Sequence, residues 1–471
     1  MNRREFMRGT AAALTGISIV PRHVLGGAGR KPPSEKLNIA AIGVGGQGAT
    51  DVDGLAGENI VALCDADLRP SAETFRKFPH ARKYRDFRVM LDEMGDQIDA
   101  VLVAAPDDTH AVAGLGAVRR GTQVYCEKPL AHSVWEVRQL MKAAKEHQVV
   151  TQLGNQGHSS GGIRTFCEWI WDGAIGDVHT IHAGCDQFAE VYTKVGQLEK
   201  LKEKHEVPPE LDWDLWLGPA AGRPYHPAYL PFQWRGWADF GTGVLGDWIC
   251  HVLDPAFWAL DLGAPSSVQA EKVGSYDPEK HALTFPRDFV LRYEFAAKGK
   301  RGPAELNAPQ RASPAQEAAP RGGRGESRIT LYWYAGSERI PWVEGMEPGA
   351  RPPGTGAVVL GSEGGMTHQS HGAGDARLFP KEKMKDYKDP PQKLPRVEGH
   401  HQDWLDAIRK GTQAGSDWFY GGPLTELGLL GVIALRFPGQ ELRWDGPGMR
   451  FTNSDEATKL LTPDYRHGWR L

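Results

Sequence analysis

Leu37-Asn38-Ile39-Ala40-Ala41-Ile42-Gly43-Val44-Gly45-Gly46-Gln47-Gly48 decides the fold of this chain. An apolar run suited to a buried strand passes straight into a G-x-G-x-x-G spacing, and that order gives the glycines their meaning. In a strand–turn–helix unit Gly43 permits the tight turn, Gly45 lets the backbone approach a pyrophosphate, and Gly48 lets the helix pack on the strand. The helix N-terminus then faces the phosphates, with Val44, Gly46 and Gln47 in the same turn. A second apolar run, Asn59-Ile60-Val61-Ala62-Leu63-Cys64, ends at Asp65, near the roughly 20-residue distance at which an acidic residue meets the adenosine ribose. Asp65 is expected to bond both ribose hydroxyls and repel a 2′-phosphate, which favours NAD over NADP; Asp67 is placed to share that role. The bland alternative, a glycine-rich surface turn and a solvated Asp, is disfavoured by the flanking strands.

Strands and helical stretches alternate onward to about residue 152. Ala100-Val101-Leu102-Val103-Ala104-Ala105, Thr122-Gln123-Val124-Tyr125-Cys126 and Val149-Val150-Thr151-Gln152-Leu153 read as strands, and residues 133–147 carry Val134, Val137, Leu140 and Met141 at helical spacing. This alternation predicts an α/β fold with a doubly wound parallel sheet, a Rossmann domain over 34–156. From residue 157 to 471 tryptophan-rich segments and long loops indicate a second domain, and 301–326, rich in Ala, Pro, Arg and Gly, reads as a mobile excursion.

Glu127-Lys128-Pro129 follows a strand whose carboxyl end meets the cofactor crevice. There Lys128 can bond a substrate hydroxyl, and Glu127 and Lys128 can hold polar groups near the nicotinamide; an ordinary solvated ion pair before a proline turn fits the motif equally well. Asn155 and Gln156, after the last strand of the first domain, can reach cofactor or substrate, or simply form an amide-bearing turn. His158 and Arg164 are weaker candidates on the same ground.

At the amino terminus, Met1-Asn2-Arg3-Arg4-Glu5-Phe6-Met7-Arg8 precedes an apolar, alanine-rich run over 11–20 that is too short to span a bilayer. The pattern resembles a twin-arginine export signal, with Gly26-Gly27-Ala28 offering small residues for cleavage and residues 1–33 acting as signal and linker; a basic, frayed helix is the alternative. That route carries folded proteins, so an enzyme loaded with NAD in the cytoplasm and retaining it in the periplasm is the expected arrangement. The formal charge of −4 and the lack of a basic stripe argue against a nucleic-acid partner, and no later apolar stretch suits a membrane span. Five scattered cysteines, without C-x-x-C or zinc spacing, read as free thiols.

Three elements in order, the glycine motif, Glu127-Lys128-Pro129, and Gly246-Asp247-Trp248-Ile249-Cys250-His251, give the chain after its signal a resemblance to the Gfo/Idh/MocA oxidoreductases, typified by glucose–fructose oxidoreductase and inositol dehydrogenase. The resemblance implies a C-terminal α+β domain with a large open, mostly antiparallel sheet, a homo-oligomer (dimer or tetramer) formed through it, and a substrate pocket lined by Lys128, Asp247 and His251. Residues four apart on a helix share a face, so Asp247 and His251 can meet one ligand. In that role His251 takes a hydroxyl proton, Lys128 stabilises the alkoxide and Asp247 orients its neighbours.

Sugar recognition calls for aromatic faces beside hydrogen-bonding groups, which Tyr225, Trp234, Arg235, Trp237 and Asp239 supply, though most rings are expected in the core. His368 and His371, with His400 and His401, offer a metal alternative if they meet His251 in space; a surface turn and a helix start are the favoured reading, and no metal is expected. The reading is an NAD-dependent oxidoreductase acting on a sugar or glycoside hydroxyl. One alternative is a glycoside hydrolase that oxidises a sugar carbon transiently, eliminates, hydrates and reduces; it needs a further acid or base, for which Asp239, Tyr225 and His158 are available types. Another is a non-catalytic sugar-binding protein retaining NAD.

Overall fold

The computed structural model describes residues 35–187, 189–296 and 328–471. The export signal expected over 1–33 and the excursion expected over 301–326 lie outside the described residues.

Six parallel strands form the first sheet in the order β3-β2-β1-β4-β5-β6, with β1 at Asn38–Ile42, β2 at Asn59–Cys64, β3 at Arg82–Tyr84, β4 at Ala100–Val103, β5 at Gln123–Glu127 and β6 at Thr151–Gly154. Their continuous apolar character follows from burial on both faces: Ile39, Ala41, Leu63 and Leu102 face one core, Ala40, Val101, Val103 and Val124 the other. Strand order reverses between β1 and β4, and in such a sheet the crevice outside the carboxyl ends at that point is where ligands bind. The helix Val134–His147 opens on a capping box in which Ser133 and Glu136 satisfy each other's backbone N–H.

The second sheet has nine strands in the order β13-β12-β11-β7-β10-β9-β8-β14-β15. These are β7 (Val178–Cys185), β8 (Ser267–Val273), β9 (Phe289–Ala296), β10 (Arg328–Ala335), β11 (Thr355–Gly361), β12 (Gly364–Gln369), β13 (Arg377–Phe379), β14 (Glu441–Asp445) and β15 (Arg450–Phe451). Only β7 and β10 run parallel; the other pairs are antiparallel. Strict alternation in β9 and β10 turns Phe289, Leu291, Tyr293, Leu331 and Trp333 inward, into one core cluster with Leu245 and Ile249 of the helix Gly243–Val252 and Leu427 and Leu430 of the helix Trp418–Ala434. Gly431 makes that packing possible, because a Cβ there would stand 2.0 Å from the Tyr293 hydroxyl. The opposite face of the sheet carries Arg292, Glu294, Tyr332, Tyr334 and His182. Among the described residues no helix is long and apolar enough to cross a membrane.

The break read at residue 157 is not a break in packing. The helix His400–Lys410 returns to the first sheet, where Trp404 is wholly buried in the cluster that holds Ile39, Leu63, Leu102 and Tyr125. His400 Nε2 donates to the Leu153 carbonyl at 2.6 Å, and its Nδ1 lies 2.8 Å from Ser159 Oγ; His401 Nε2 lies 3.1 Å from Asp51. The Leu153 N–H donates to the Ser416 carbonyl at 2.8 Å. These histidines therefore fasten a returning helix to β6 and to the first helix of the sheet. Trp404→Ala is expected to cost about 3–5 kcal/mol through the cavity it leaves, read by urea unfolding; a loss below about 1 kcal/mol would show that the returning helix is an accessory to the first sheet.

Candidate active site

The carboxyl ends of β1, β2, β4 and β5 open into a cleft of about 450 Å³ that reaches across to the second domain. Its β1 side is the glycine turn. Gly43 has φ 76°, and a Cβ there would stand 2.6 Å from the Ala104 carbonyl oxygen; a Cβ on Gly48 would stand 1.9 Å from the oxygen of Gly43. Gly45 is constrained by Pro70, 2.8 Å from where its Cβ would be, whereas Gly46, at φ 55° with open space around it, presents bare backbone to the cleft. Both Gly45 and Gly46 line the cleft. Val44 is fully buried and takes part through its N–H, which donates to Asp65 Oδ2 at 2.9 Å.

Asp65 lines the cleft and also accepts the Asp67 N–H at 2.9 Å, so one carboxylate ties the end of β2 to the glycine turn. Burial pushes its pKa up to about 6. Asp67 lines the cleft as well, with its carboxylate engaged in capping the helix Leu68–Lys77 and pairing with Arg69. A turn with bare backbone at Gly46, a helix starting at Gln47 and an acidic residue closing β2 fit a dinucleotide: Gly45, Gly46 and Gln47 would hold the pyrophosphate and Asp65 the ribose.

At the β5 side, Glu127 and Lys128 are not the solvated pair that the motif also allowed. Glu127 is buried, accepts from Gln156 Nε2 at 2.6 Å, and has its pKa pushed up by burial and the nearby Asp51. Lys128, joined to Pro129 by a cis peptide bond, instead bonds Asp247 Oδ1, a residue 119 positions away, with side chains only 14% and 9% exposed. Asp247 also accepts from the Tyr192 hydroxyl and has Arg235 Nε 3.7 Å away. Burial by itself opposes charge on both partners, but the two cations hold the Asp247 carboxyl well below the usual carboxylate range. Lys128 in turn stays above its ordinary value, against desolvation, through Asp247 and Glu127. Behind the lysine, the two ring nitrogens of His110 face the carbonyl oxygens of Pro129 (2.7 Å) and Ala105 (2.8 Å); burial lowers its pKa to about 4, and the neutral ring has one N–H to donate to one of them.

His251 lies one turn after Asp247 on the helix Gly243–Val252 and also lines the cleft. Its Nδ1 has no hydrogen-bond partner among the described residues, and burial together with the charge of Lys128 keeps its pKa well below the ordinary value. It is therefore a neutral imidazole able to accept a proton. The ring of His371 stands 4.2 Å from it, and Trp248 lies edge-on to both. Arg235 is flanked by Phe232 and Trp234, whose ring centres are 4.0 and 4.2 Å from the guanidinium, and all three line the cleft.

Several residues read as site groups stand elsewhere. Asn155 is wholly buried, bonding Asp254 and Ser416, while its neighbour Gln156 reaches the cleft. His158 bonds Asp254 at 3.0 Å and stacks on Trp258; Arg164 holds the carbonyls of His158, Ser160 and Pro395. Tyr225 packs against Trp213 in a separate aromatic cluster, Trp237 is a core residue that donates to the Ala228 carbonyl, and Asp239 pairs with Arg223 on a different cavity. Asn155, His158 and Arg164 are held by partners far along the chain, Asp254, Ser416 and Pro395, contacts that one sequence does not disclose. Of the histidines weighed as metal ligands only His371 meets His251; His368 bonds the Gln369 carbonyl, and His400 and His401 fasten the returning helix. Glu203, His205 and His226 do converge within 4.8 Å, outside the cleft, but His226 Nδ1 already accepts the Ala228 N–H, which leaves the ring hydrogen on Nε2. All five cysteines are free and buried. Tyr192 and Trp248 were missed; Tyr192 sits in a four-residue helix with no signal beyond being aromatic.

Comparison with known proteins adds two family matches: the oxidoreductase family, NAD-binding Rossmann fold, over residues 37–155, and the oxidoreductase family C-terminal alpha/beta domain over residues 178–298. An uncharacterized oxidoreductase of Streptococcus pneumoniae is 34% identical over 24% of this chain and 31% of its own length. A levoglucosan dehydrogenase of Pseudarthrobacter phenanthrenivorans is 24% identical over 52% of this chain and 53% of its own. The chain thus spans about a third to a half of these relatives' length. The fold of the Caulobacter crescentus aldose-aldose oxidoreductase superposes with a TM-score of 0.55 at 16% identity, covering 87% of this chain and all of that one.

Asp247→Ala leaves Lys128 and Arg235 without their carboxylate and is expected to cost about 3–5 kcal/mol. Adding Lys128→Met should restore part of that loss in a double-mutant cycle of urea unfolding; strictly additive costs would mean that the two residues are not coupled.

Proposed function

Because the chain belongs to the Gfo/Idh/MocA oxidoreductase family, we propose that it moves a hydride between a tightly held NAD and a hydroxyl-bearing carbon of a sugar or glycoside. The observation that carries this reading is the convergence of Lys128, Asp247 and His251 on the cleft that the glycine turn opens. Bound NAD supplies the hydride acceptor and donor. Neutral His251 takes the hydroxyl proton as the carbonyl forms, and Lys128, kept charged by Asp247, donates to the reacting oxygen and stabilises its developing negative charge. Trp234, Phe232, Arg235 and Tyr192 give the cleft aromatic faces beside donors, the pairing that a polyhydroxylated ring requires. The similarity to a levoglucosan dehydrogenase supports a carbohydrate substrate.

His371 favours a second reading. A glycosidase that works by transient oxidation needs one more proton carrier, to remove the hydrogen beside the new ketone before the aglycone departs, and then to activate the water that adds. Asp239, Tyr225 and His158 lie away from the cleft, but His371 lines it beside His251. Return of the hydride then leaves net hydrolysis.

Export in folded form to the periplasm belongs to the same proposal, on the strength of Arg3-Arg4 and the apolar run that follows. So does a homo-oligomer built on the face of the nine-stranded sheet that carries Tyr332, Tyr334 and His182, which among the described residues the helices do not cover as they cover the other face.

The protein purified without added nucleotide is expected to release near-stoichiometric NAD or NADH on denaturation. His251→Ala should retain that nucleotide while losing at least about 100-fold in turnover of a glycoside; undiminished turnover would remove His251 from the mechanism. Free aglycone without lasting NADH marks the hydrolytic reading, and accumulated NADH without aglycone the dehydrogenase.

A further inference from the structure

The cleft has two ends, and only one of them holds Lys128 and His251. Asp65 marks the other as the adenosine end, because the acidic residue closing β2 meets the ribose farthest from the reacting ring. Beyond β2 lies β3, and the residues that follow it, Arg85, Asp86 and Phe87, line the cleft there. One further aromatic residue on that wall comes from a distant part of the chain: Trp469.

Trp469 is held from several sides. Its ring centre is 6.1 Å from that of Phe87, and the Arg88 guanidinium, itself paired with Asp86, lies 4.3 Å from the ring centre. Three residues earlier, Arg466 bonds the Asp214 carboxylate, the Asp214 carbonyl and the Gly218 carbonyl, while its own N–H donates to the Pro219 carbonyl at 3.1 Å. The Tyr465 hydroxyl bonds Glu136, on the helix Val134–His147. Residues 465–469 are thus pinned at Tyr465 and Arg466, and the Arg466–Asp214 contact joins them to the helix Trp213–Leu217, whose Leu215 and Trp216 also line the cleft. Asp214 is 75% exposed in its side chain, so this latch borders solvent.

We propose that residues 465–469 form a strap over the adenine end of the dinucleotide site, with Trp469 as an aromatic wall for the base and Arg466 on Asp214 as its latch. A planar base beside an aromatic side chain gains stacking energy whatever its hydrogen-bonding edge. A wall fastened from outside the first sheet makes departure of the nucleotide depend on the strap opening. The inference rests on the NAD reading and supplies a structural basis for retention of the cofactor. Because the latch is a solvent-bordering ion pair, salt weakens it and speeds release.

The test compares the full chain with Trp469→Ala, Trp469→Phe and Arg466→Ala, following release of bound NADH by its fluorescence after rapid dilution, and binding of AMP and of nicotinamide mononucleotide to nucleotide-free protein. Trp469→Ala is expected to release NADH about ten- to a hundredfold faster. It should weaken AMP by a similar factor and leave nicotinamide mononucleotide unchanged, with Trp469→Phe recovering most of the loss. Arg466→Ala should speed release and abolish its salt dependence. Unchanged release and AMP affinity in both alanine variants, with NADH bound by the parent, would overturn the strap while leaving the NAD reading intact. Equal weakening of AMP and nicotinamide mononucleotide would also overturn it, since a general loss of fold produces that result. A parent chain that binds neither NADH nor AMP would remove the NAD reading, and the strap with it.

Discussion

Lys128 leaves the first sheet at the end of β5, and Asp247 sits on a helix packed under the second; neither is stable there without the other. A largely buried ammonium and a largely buried carboxylate each lose most of their hydration, and only direct contact with further hydrogen bonds offsets that loss. The pair therefore constrains how the two sheets meet. Tyr192 and Arg235, which complete the Asp247 environment, come from the stretch between β7 and the helix Gly243–Val252 and meet on the same carboxylate. The arrangement also sets the protonation of the site, because the lysine's persistent charge helps hold His251 neutral.

Around this pair the protein uses uncharged or internally satisfied polar groups to fix backbone. His110 spans two carbonyls behind Lys128, Asp65 ties the end of β2 to the glycine turn, and His400 locks the returning helix onto β6. Burial lowers the pKa of His400 to about 3, so its neutral ring donates from Nε2 to the Leu153 carbonyl and accepts the Ser159 hydroxyl at Nδ1; burial also lowers the pKa of His110 to about 4, and as a neutral ring it donates to one of its two carbonyls only. Asp254 also fixes backbone farther out, bonding His158, Asn155 and Tyr420 at the start of the helix that follows the one carrying His251. Residues that look like chemistry in one dimension thus divide into those that face the cleft and those that hold it open.

The tryptophan-rich run between 212 and 240 shows that division most clearly. Trp234 and Arg235 line the cleft, whereas Trp237, two positions on, is wholly buried. Trp213, Trp216, Tyr225, Tyr229 and Phe240 form a compact aromatic body of their own, joined to the first domain by the Asp67–Leu211 bridge and by the Asp108 N–H, which donates to the Phe240 carbonyl at 3.3 Å. Composition marks the run as aromatic without saying which rings point where, since irregular backbone has no period from which to infer a face.

What the sequence determined by itself was local or periodic. The parallel sheet followed from apolar runs of strand length separated by helical periods, and the glycine turn with Asp65 from fixed spacings within one strand–turn–helix unit. Four-residue helical spacing put Asp247 and His251 on one face, while their place in a pocket came from the resemblance to the oxidoreductase family. What only the tertiary structure decided was every partnership across long separations: Lys128 with Asp247 and not Glu127, His371 with His251, Asn155 with Asp254 and Ser416, and helix His400–Lys410 with the first sheet. Short-range geometry is written in spacing because the backbone repeats. Long-range pairing depends on how whole elements pack, and there the cost of leaving a charge or hydrogen-bonding group unpaired in a buried place selects the partner.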